Sequence, residues 1–442
     1  MSAATAHLRF RAGRARGAHG GGRKAAKGVK TMTERKKISP GLVLFMMLMS
    51  MTAGAMCLNK VAPIVPVLTE SMGLAGAGQA GLLISVFVFS GIFLAIPSGV
   101  IIAKLGYYKT GIIALAAILA GSVVGALDAG YAVMLGSRIV EGVGLIMLMT
   151  LGPAAVASSF DDRRRGSAMG LLMCFMAFGQ IAMFNLAPRI AEGGAWENVW
   201  WFTAVYAGVF LVAWIVALRN LDASLAAAAA PAAEAPGTGA LDGAPAAPNA
   251  PTRLFSKDVF LNPGVWLVGI TLMVYLIAEQ GVISFLPTYL AEVRGMDAAA
   301  ASSIVSIAPL VGIPVGIVAG MVSDKMGSRK KPLGVLMLAS AVTYALMPTW
   351  PTGVFIVLVV LFGIAVMGIV GLCFSAVAEL VPPAQGDMAV ALLNTFQWVG
   401  IFLSSSLVGL LIEAVGWDMA FYLMVPLTVV GAVCTFVTPK LR

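Results

Sequence analysis

Twelve apolar runs of helix length leave this chain few folds to choose from. Crossing about 30 Å of hydrocarbon takes roughly 20 apolar residues in a helix, and within lipid each backbone polar group needs a partner inside the structure. The runs lie near 41–66, 78–101, 110–128, 131–156, 167–189 and 198–218, then 263–290, 299–322, 333–350, 353–378, 388–413 and 418–438. We number them spans 1 to 12. A membrane β-barrel would need short segments of alternating hydrophobicity instead. With 60% hydrophobic and 11% charged residues and a mean hydropathy of +0.94, the chain reads as an all-α polytopic membrane protein.

The runs fall into two sets of six, and the sets repeat. Gly320, Lys325, Gly327 and Lys330 follow Gly99, Lys104, Gly106 and Lys109 at one constant offset. Gly142 and Gly363 in the fourth span of each set, and Trp196 and Trp417 before the sixth, keep that offset, and Gly166 and Gly386 miss it by a single position. Ordered anchors at one offset indicate a duplicated unit.

The net charge of +9 raises nucleic acid as a partner, but its distribution points to a membrane. Of 29 Lys and Arg, only Lys60, Arg138, Arg189 and Arg294 fall within spans or in the loops placed outside. The others crowd the N-terminal tail, alternate loops and the C-terminus, which predicts cytoplasmic termini by the positive-inside rule. Residues 1–40 read as a basic disordered tail, with Met32 a second candidate start. Residues 220–257, with a five-alanine tract and Pro231, Pro236, Pro245, Pro248 and Pro251, read as a disordered cytoplasmic linker. The halves are then 41–219 and 258–442. Cys57, Cys174, Cys373 and Cys434 are scattered through spans, and His7 and His19 lie in the tail. Neither a metal site nor a histidine proton relay is expected.

The segment Gly320-Met-Val-Ser-Asp324-Lys325-Met-Gly327-Ser-Arg329-Lys330 between spans 8 and 9 resembles the loop motif of the major facilitator superfamily, and Arg138-x-x-x-Gly142 matches a second pattern of that family. The resemblance covers nearly everything from Gly41 to Pro439. It implies twelve transmembrane helices in two pseudo-symmetric six-helix bundles, a central cavity opening alternately to either side, and a monomer that needs no cofactor. Asp324 is then expected to face the start of span 5 near Gly166 and Ser167. In the first copy, Gly99 to Lys109, the Asp position is Ala103. Asp387, at the start of span 11, is expected to replace the missing carboxylate and attract Lys104 or Lys109; drift at Ala103 is the competing reading.

Ionisable groups inside spans are costly and mark functional candidates. They are Lys60 in span 1, Arg138 and Glu141 in span 4 and Glu279 in span 7, on spans that line the cavity in the family. Under the repeat Asn59 maps onto Gln280, so Asn59-Lys60 is expected to look across the cavity at Glu279-Gln280. In one reading Lys60 and Arg138 hold an anionic substrate while Glu279 or Glu141 accepts a proton. In the other, Arg138 and Glu141 neutralise each other, being three apart on a helix, and Lys60 snorkels toward the outer headgroups.

Neither a nucleotide-binding loop of the Gly-x-x-x-x-Gly-Lys type nor a catalytic constellation is present, so an enzyme is not expected. Span 5 lacks the Gly-Pro signature of the family's drug exporters. The expected function is proton-coupled uptake of a small organic or inorganic anion across the cell inner membrane. Multidrug or metabolite efflux through the Met- and Phe-rich spans, and a non-transporting sensor, are the alternatives.

Overall fold

The computed structural model describes residues 38–225, 257–382 and 385–439. The basic tail up to 37 and most of the linker lie outside them. Among the described residues there is no strand, and eleven helical segments are long and apolar enough to cross a membrane. The helix Lys330–Leu346, 17 residues long, completes the expected twelve as span 9.

Each half begins with the same device. Ser39 caps span 1 by accepting from the Leu42 N–H at 3.3 Å, with Pro40 in the first turn. Asn262 caps span 7 by accepting from the Gly264 N–H at 2.9 Å, ahead of Pro263. A side-chain acceptor satisfies an orphan donor, and proline there gives up an N–H that has no partner anyway. Span 1 is then interrupted. Its helix runs Pro40–Asn59, passes through a 3₁₀ turn at Ala62–Ile64 and resumes at Val65–Met72, because Pro63 and Pro66 cannot donate to the preceding turn. Spans 2 and 3 join through Gly106, whose φ of 80° and ψ of 169° end one helix and start the next.

The duplication extends to backbone contacts. Gly142 of span 4 packs on the Phe87 carbonyl of span 2, leaving no room for a Cβ, and Gly363 of span 10 packs likewise on the Ala308 carbonyl of span 8. Phe87 and Ala308 are themselves separated by the repeat offset. Each half therefore closes its second span against its fourth through the same glycine.

Among the described residues the two bundles pack most closely at one end. At the end away from the Lys/Arg loops, a single apolar cluster draws on both halves, including Val61, Val65, Leu83 and Phe184 from the first and Val282, Phe285, Tyr289 and Val408 from the second. There Gly81 packs on the Ser405 carbonyl and Gly409 on the Ala77 carbonyl, bringing spans 2 and 11 to backbone contact. Asn185 of span 5 donates to the Ser306 hydroxyl of span 8 at 3.0 Å. At the basic end the cores separate, one built on spans 1 to 6 with Trp398 at its edge and one on spans 7, 9, 10, 11 and 12. A cavity of about 670 Å³ lies there between spans 5 and 8.

The first bundle also takes in the beginning of the linker. Leu221 and Leu225 are buried against it, and Ser224 accepts from the Ile38 N–H at 3.2 Å. The packed chain thus continues past residue 220, where composition placed the start of an unpacked connection.

Candidate functional site

The break in span 1 exposes the negative end of a helix within the membrane, and charged side chains gather around it. Arg138 Nη1 donates to the Cys57 carbonyl at 2.6 Å, and Arg138 Nε to the Leu83 carbonyl at 3.2 Å. A guanidinium at a helix C-terminus is favoured by the helix dipole as well as by the hydrogen bonds. The same Nη1 reaches Glu141 Oε2 at 2.6 Å. Lys60, immediately after the helix end, turns toward Glu141 Oε1 at 2.6 Å and donates to Thr203 Oγ1 at 3.0 Å. Ser122 donates to Glu141 Oε1 at 2.7 Å. Trp200 lies beneath the ammonium, 4.4 Å from nitrogen to ring centre, and Phe87 faces the Arg138 guanidinium at 4.6 Å. Lys60, Arg138 and Glu141 are all 0% exposed. Spans 1, 2, 3, 4 and 6 thus enclose two cations and one carboxylate.

This placement differs from both sequence readings of Lys60. The ammonium neither snorkels toward headgroups nor faces the second bundle; it points into the interior of the first. The pairing of Arg138 with Glu141 is present, with Lys60 as a third member. Ser122, Thr203 and Trp200 were not singled out from sequence. The available signal was that a lysine deep in a span needs polar acceptors on neighbouring helices, and isolated hydroxyls in apolar runs supply them. Carrying the cluster forward by the repeat offset gives Gly281, Val359, Phe362 and Phe421 at the positions of Lys60, Arg138, Glu141 and Trp200. The second bundle fills the equivalent space with apolar groups, and Phe362 packs edge-on against Tyr344.

Asn59 and Gln280 do come together. They line a small pocket of about 10 Å³ between the bundles, with Ser85, Phe184, Ser284 and Ser405 around them. That is room for about one water. Gln280 Nε2 donates to Glu279 Oε2 at 2.7 Å, and Glu279 is 3% exposed. Among the described residues Glu279 forms no ion pair. Among the described residues, five buried hydroxyls of the second bundle, on Tyr275, Thr288, Ser302, Tyr344 and Ser406, have no hydrogen-bond partner.

At the basic end, Gly327 ends span 8 in the left-handed conformation that the motif's glycine predicts. Asp324 does not reach span 5. It pairs with Arg329 of its own loop at 2.6 Å, and Arg329 Nε bonds Glu379 at the end of span 10 at 3.0 Å. Burial alone would lower the Arg329 guanidinium; the bonds to Glu379 and Asp324 more than offset it and hold it above its ordinary value. Gly166 and Ser167, the expected partners, instead line the cavity between spans 5 and 8. Gly320 and Lys330 sit on helix, and Lys325, Lys104 and Lys109 are exposed. The first loop, where Ala103 stands for Asp, takes its carboxylate from the linker. Asp222 accepts from the Tyr107 N–H at 2.6 Å and the Tyr108 N–H at 3.3 Å, capping the helix that follows Gly106. The side chain of Asp387, the residue expected in that role, lies outside the described residues.

Two bundles closed at one end and parted at the other, around buried charges, define a multi-pass membrane transporter. The Major Facilitator Superfamily model matches residues 41–383 and 315–441, and the chain belongs to that family. It is similar to a glycerol-3-phosphate transporter of Haemophilus influenzae, 28% identical over 195 residues, or 39% of this chain and 40% of that one. The similarity to the lincomycin resistance protein LmrB of Listeria monocytogenes is 24% over 104 residues, or 24% of this chain and 22% of that one. The chain therefore spans less than half the length of either relative. Among solved structures, a bacterial homolog of the human lysosomal transporter Spinster, inward-facing and occupied, superposes with a TM-score of 0.71 over 91% of this chain and 97% of that one, at 14% identity. That likeness concerns the fold.

Proposed function

We propose that this chain is a secondary transporter that takes up a small organic or inorganic anion together with protons, working as a monomer in the cytoplasmic membrane with its basic end and both termini inside. The observation that carries this reading is the enclosed cluster of Lys60, Arg138 and Glu141, which holds one positive charge in excess. Its Lys60 directly follows Asn59, which lines the small pocket between the bundles. In a low-dielectric wall an excess charge acts over several ångströms, so an anion is drawn by the field while neutral amides and hydroxyls make the contacts. The similarity to the Haemophilus glycerol-3-phosphate transporter supports an anionic cargo.

Glu279 is the proton carrier in this scheme. Glu141 is matched by two cations, whereas among the described residues Glu279 has the Gln280 amide and no cation. Proton uptake relieves the cost of an unpaired buried carboxylate. It also frees the Gln280 N–H for a substrate in the adjoining pocket and removes a negative charge facing it. Proton and anion binding then favour each other, and the coupling is reciprocal by linkage.

The test is uptake into proteoliposomes under an imposed pH gradient, screened over small carboxylates and phosphate esters. Gradient-stimulated uptake is expected. In Glu279→Gln that stimulation should vanish while exchange of substrate without a gradient persists. Gradient-driven extrusion of a lipophilic dye with no anion uptake would replace this reading with the efflux alternative.

A further inference from the structure

The cavity of about 670 Å³ between spans 5 and 8 takes no part in the charged cluster or the Asn59–Gln280 pocket. Its walls are Gly166, Gly170, Met173 and Ala177 of span 5 with Gly312 and Ile313 of span 8, an apolar lining inside a membrane-spanning region. One end of it adjoins Asp161-Asp162-Arg163-Arg164-Arg165, a segment with one positive charge in excess. Arg163 and Arg164 open the span 5 helix and are exposed, while Arg165 is tied to the Ala157 carbonyl at 3.0 Å. On a helix of 3.6 residues per turn, Arg163 shares a face with Gly166, Gly170 and Ala177. From Arg163 to Ala177 the helix rises about 21 Å at 1.5 Å per residue. One leaflet of the hydrocarbon core is about 15 Å deep.

From this match of apolar depth with terminal charge, we propose that the cavity binds one anionic phospholipid from the leaflet at the basic end, its headgroup on Arg163 and Arg164 and an acyl chain along Gly166 to Ala177. A zwitterionic lipid offers the same chain without the net charge that the arginines require. The occupied cavity keeps spans 5 and 8 apart. Closing the basic end would expel the chain, so the lipid favours the state seen here by its differential affinity for it.

The experiment uses the full chain with Cys434→Ser, which leaves Cys174 on the cavity wall as the reporter thiol, Cys57 and Cys373 being buried. In nanodiscs of phosphatidylcholine, with or without phosphatidylglycerol of the same chains, two quantities are read: lipid retained on mild detergent extraction, by native mass spectrometry, and the maleimide labelling rate of Cys174. Phosphatidylglycerol is expected to be retained about tenfold over phosphatidylcholine and to slow labelling. Arg163→Gln/Arg164→Gln should abolish the preference while the variant stays monodisperse with an unchanged melting temperature. Gly170→Trp should abolish retention of both lipids. Equal retention of the two lipids by the parent protein, or an undiminished preference in the arginine variant, overturns the proposal. If Gly170→Trp fails to fold, the arginine variant decides alone. Protection of Cys174 by a transported anion but by neither lipid would make the cavity part of the substrate path instead.

Discussion

Glu413 of span 11 accepts the Gly78 backbone N–H of span 2 at 2.8 Å, so a carboxylate from the second bundle caps a helix of the first. The repeat explains why it comes from across the interface. Gly76, which precedes the helix Ala77–Ser85, offers no side chain, whereas its mate under the repeat is Asp297, which caps its own helix by accepting from the Ala300 N–H at 2.9 Å. The Glu413 contact exists only while this end is closed. Glu413→Ala is therefore expected to shift the equilibrium toward opening at that end. An exposed cap contributes about 0.5 to 1 kcal/mol, which is roughly a two- to fivefold change in population. Spin-label distances between the ends of spans 2 and 11 would read it. An unchanged distance distribution would mean that the packing of Gly81 and Gly409 closes this end unaided.

The buried charge cluster separates stability from function. Glu141→Gln leaves Lys60 and Arg138 without a counter-charge, and stranding a buried charge costs about 3 to 5 kcal/mol. Lys60→Met keeps the Arg138–Glu141 pair and removes the excess charge, so its melting temperature in detergent should fall much less. Anion uptake should nevertheless drop at least tenfold in Lys60→Met, since the field at the Asn59 pocket is lost. A Lys60→Met protein with normal uptake would show that the cluster only braces the bundle.

Gly142 and Gly363 make a matched pair of stability probes. Alanine at either position drives its Cβ onto a backbone carbonyl, Phe87 or Ala308, that cannot rotate away. Overpacking of this kind costs about 1 to 3 kcal/mol. Both variants should lose stability by similar amounts in a thermal melt. A loss confined to Gly142→Ala would indicate that the family's second motif serves the charged cluster more than the packing of spans 2 and 4.

Much of the architecture is legible in the sequence, because membrane spans announce themselves by length and a duplicated unit by its offset. The ends of the helices around Gly106 and Gly327 were legible for the same local reason, a glycine between an apolar run and basic residues. The direction of Lys60 was not, since it is set by Glu141 and Thr203, acceptors 81 and 143 residues away that only the packing of spans 4 and 6 brings to it. The partner of Asp324 was missed for a different reason. Which of two carboxylate contacts forms depends on the conformational state, and one sequence serves every state. The interbundle cap from Glu413 joins groups far apart in the chain and answers the missing side chain at Gly76, a gap that matters only once the two helix ends are neighbours.

Asp222 offers the sharpest test of how the damaged first loop works. Ala103 has lost the motif's carboxylate, and the linker returns one to the N-terminus of span 3 through the bonds to Tyr107 and Tyr108. Asp222→Ala should weaken that helix start by about 1 kcal/mol and raise hydrogen exchange at residues 107 to 110, with spans 8 and 9 unaffected. Gly106→Ala should do more harm, because φ is 80° and the added Cβ meets the Asp222 carboxylate. Restoring the motif with Ala103→Asp in the Asp222→Ala background discriminates between two accounts. If the motif's carboxylate and Asp222 serve the same helix end, exchange returns to the parent level. If Asp222 instead anchors the linker beneath the bundle, Ala103→Asp leaves exchange high and the Ile38–Ser224 contact, which depends on the same docked segment, opens as well.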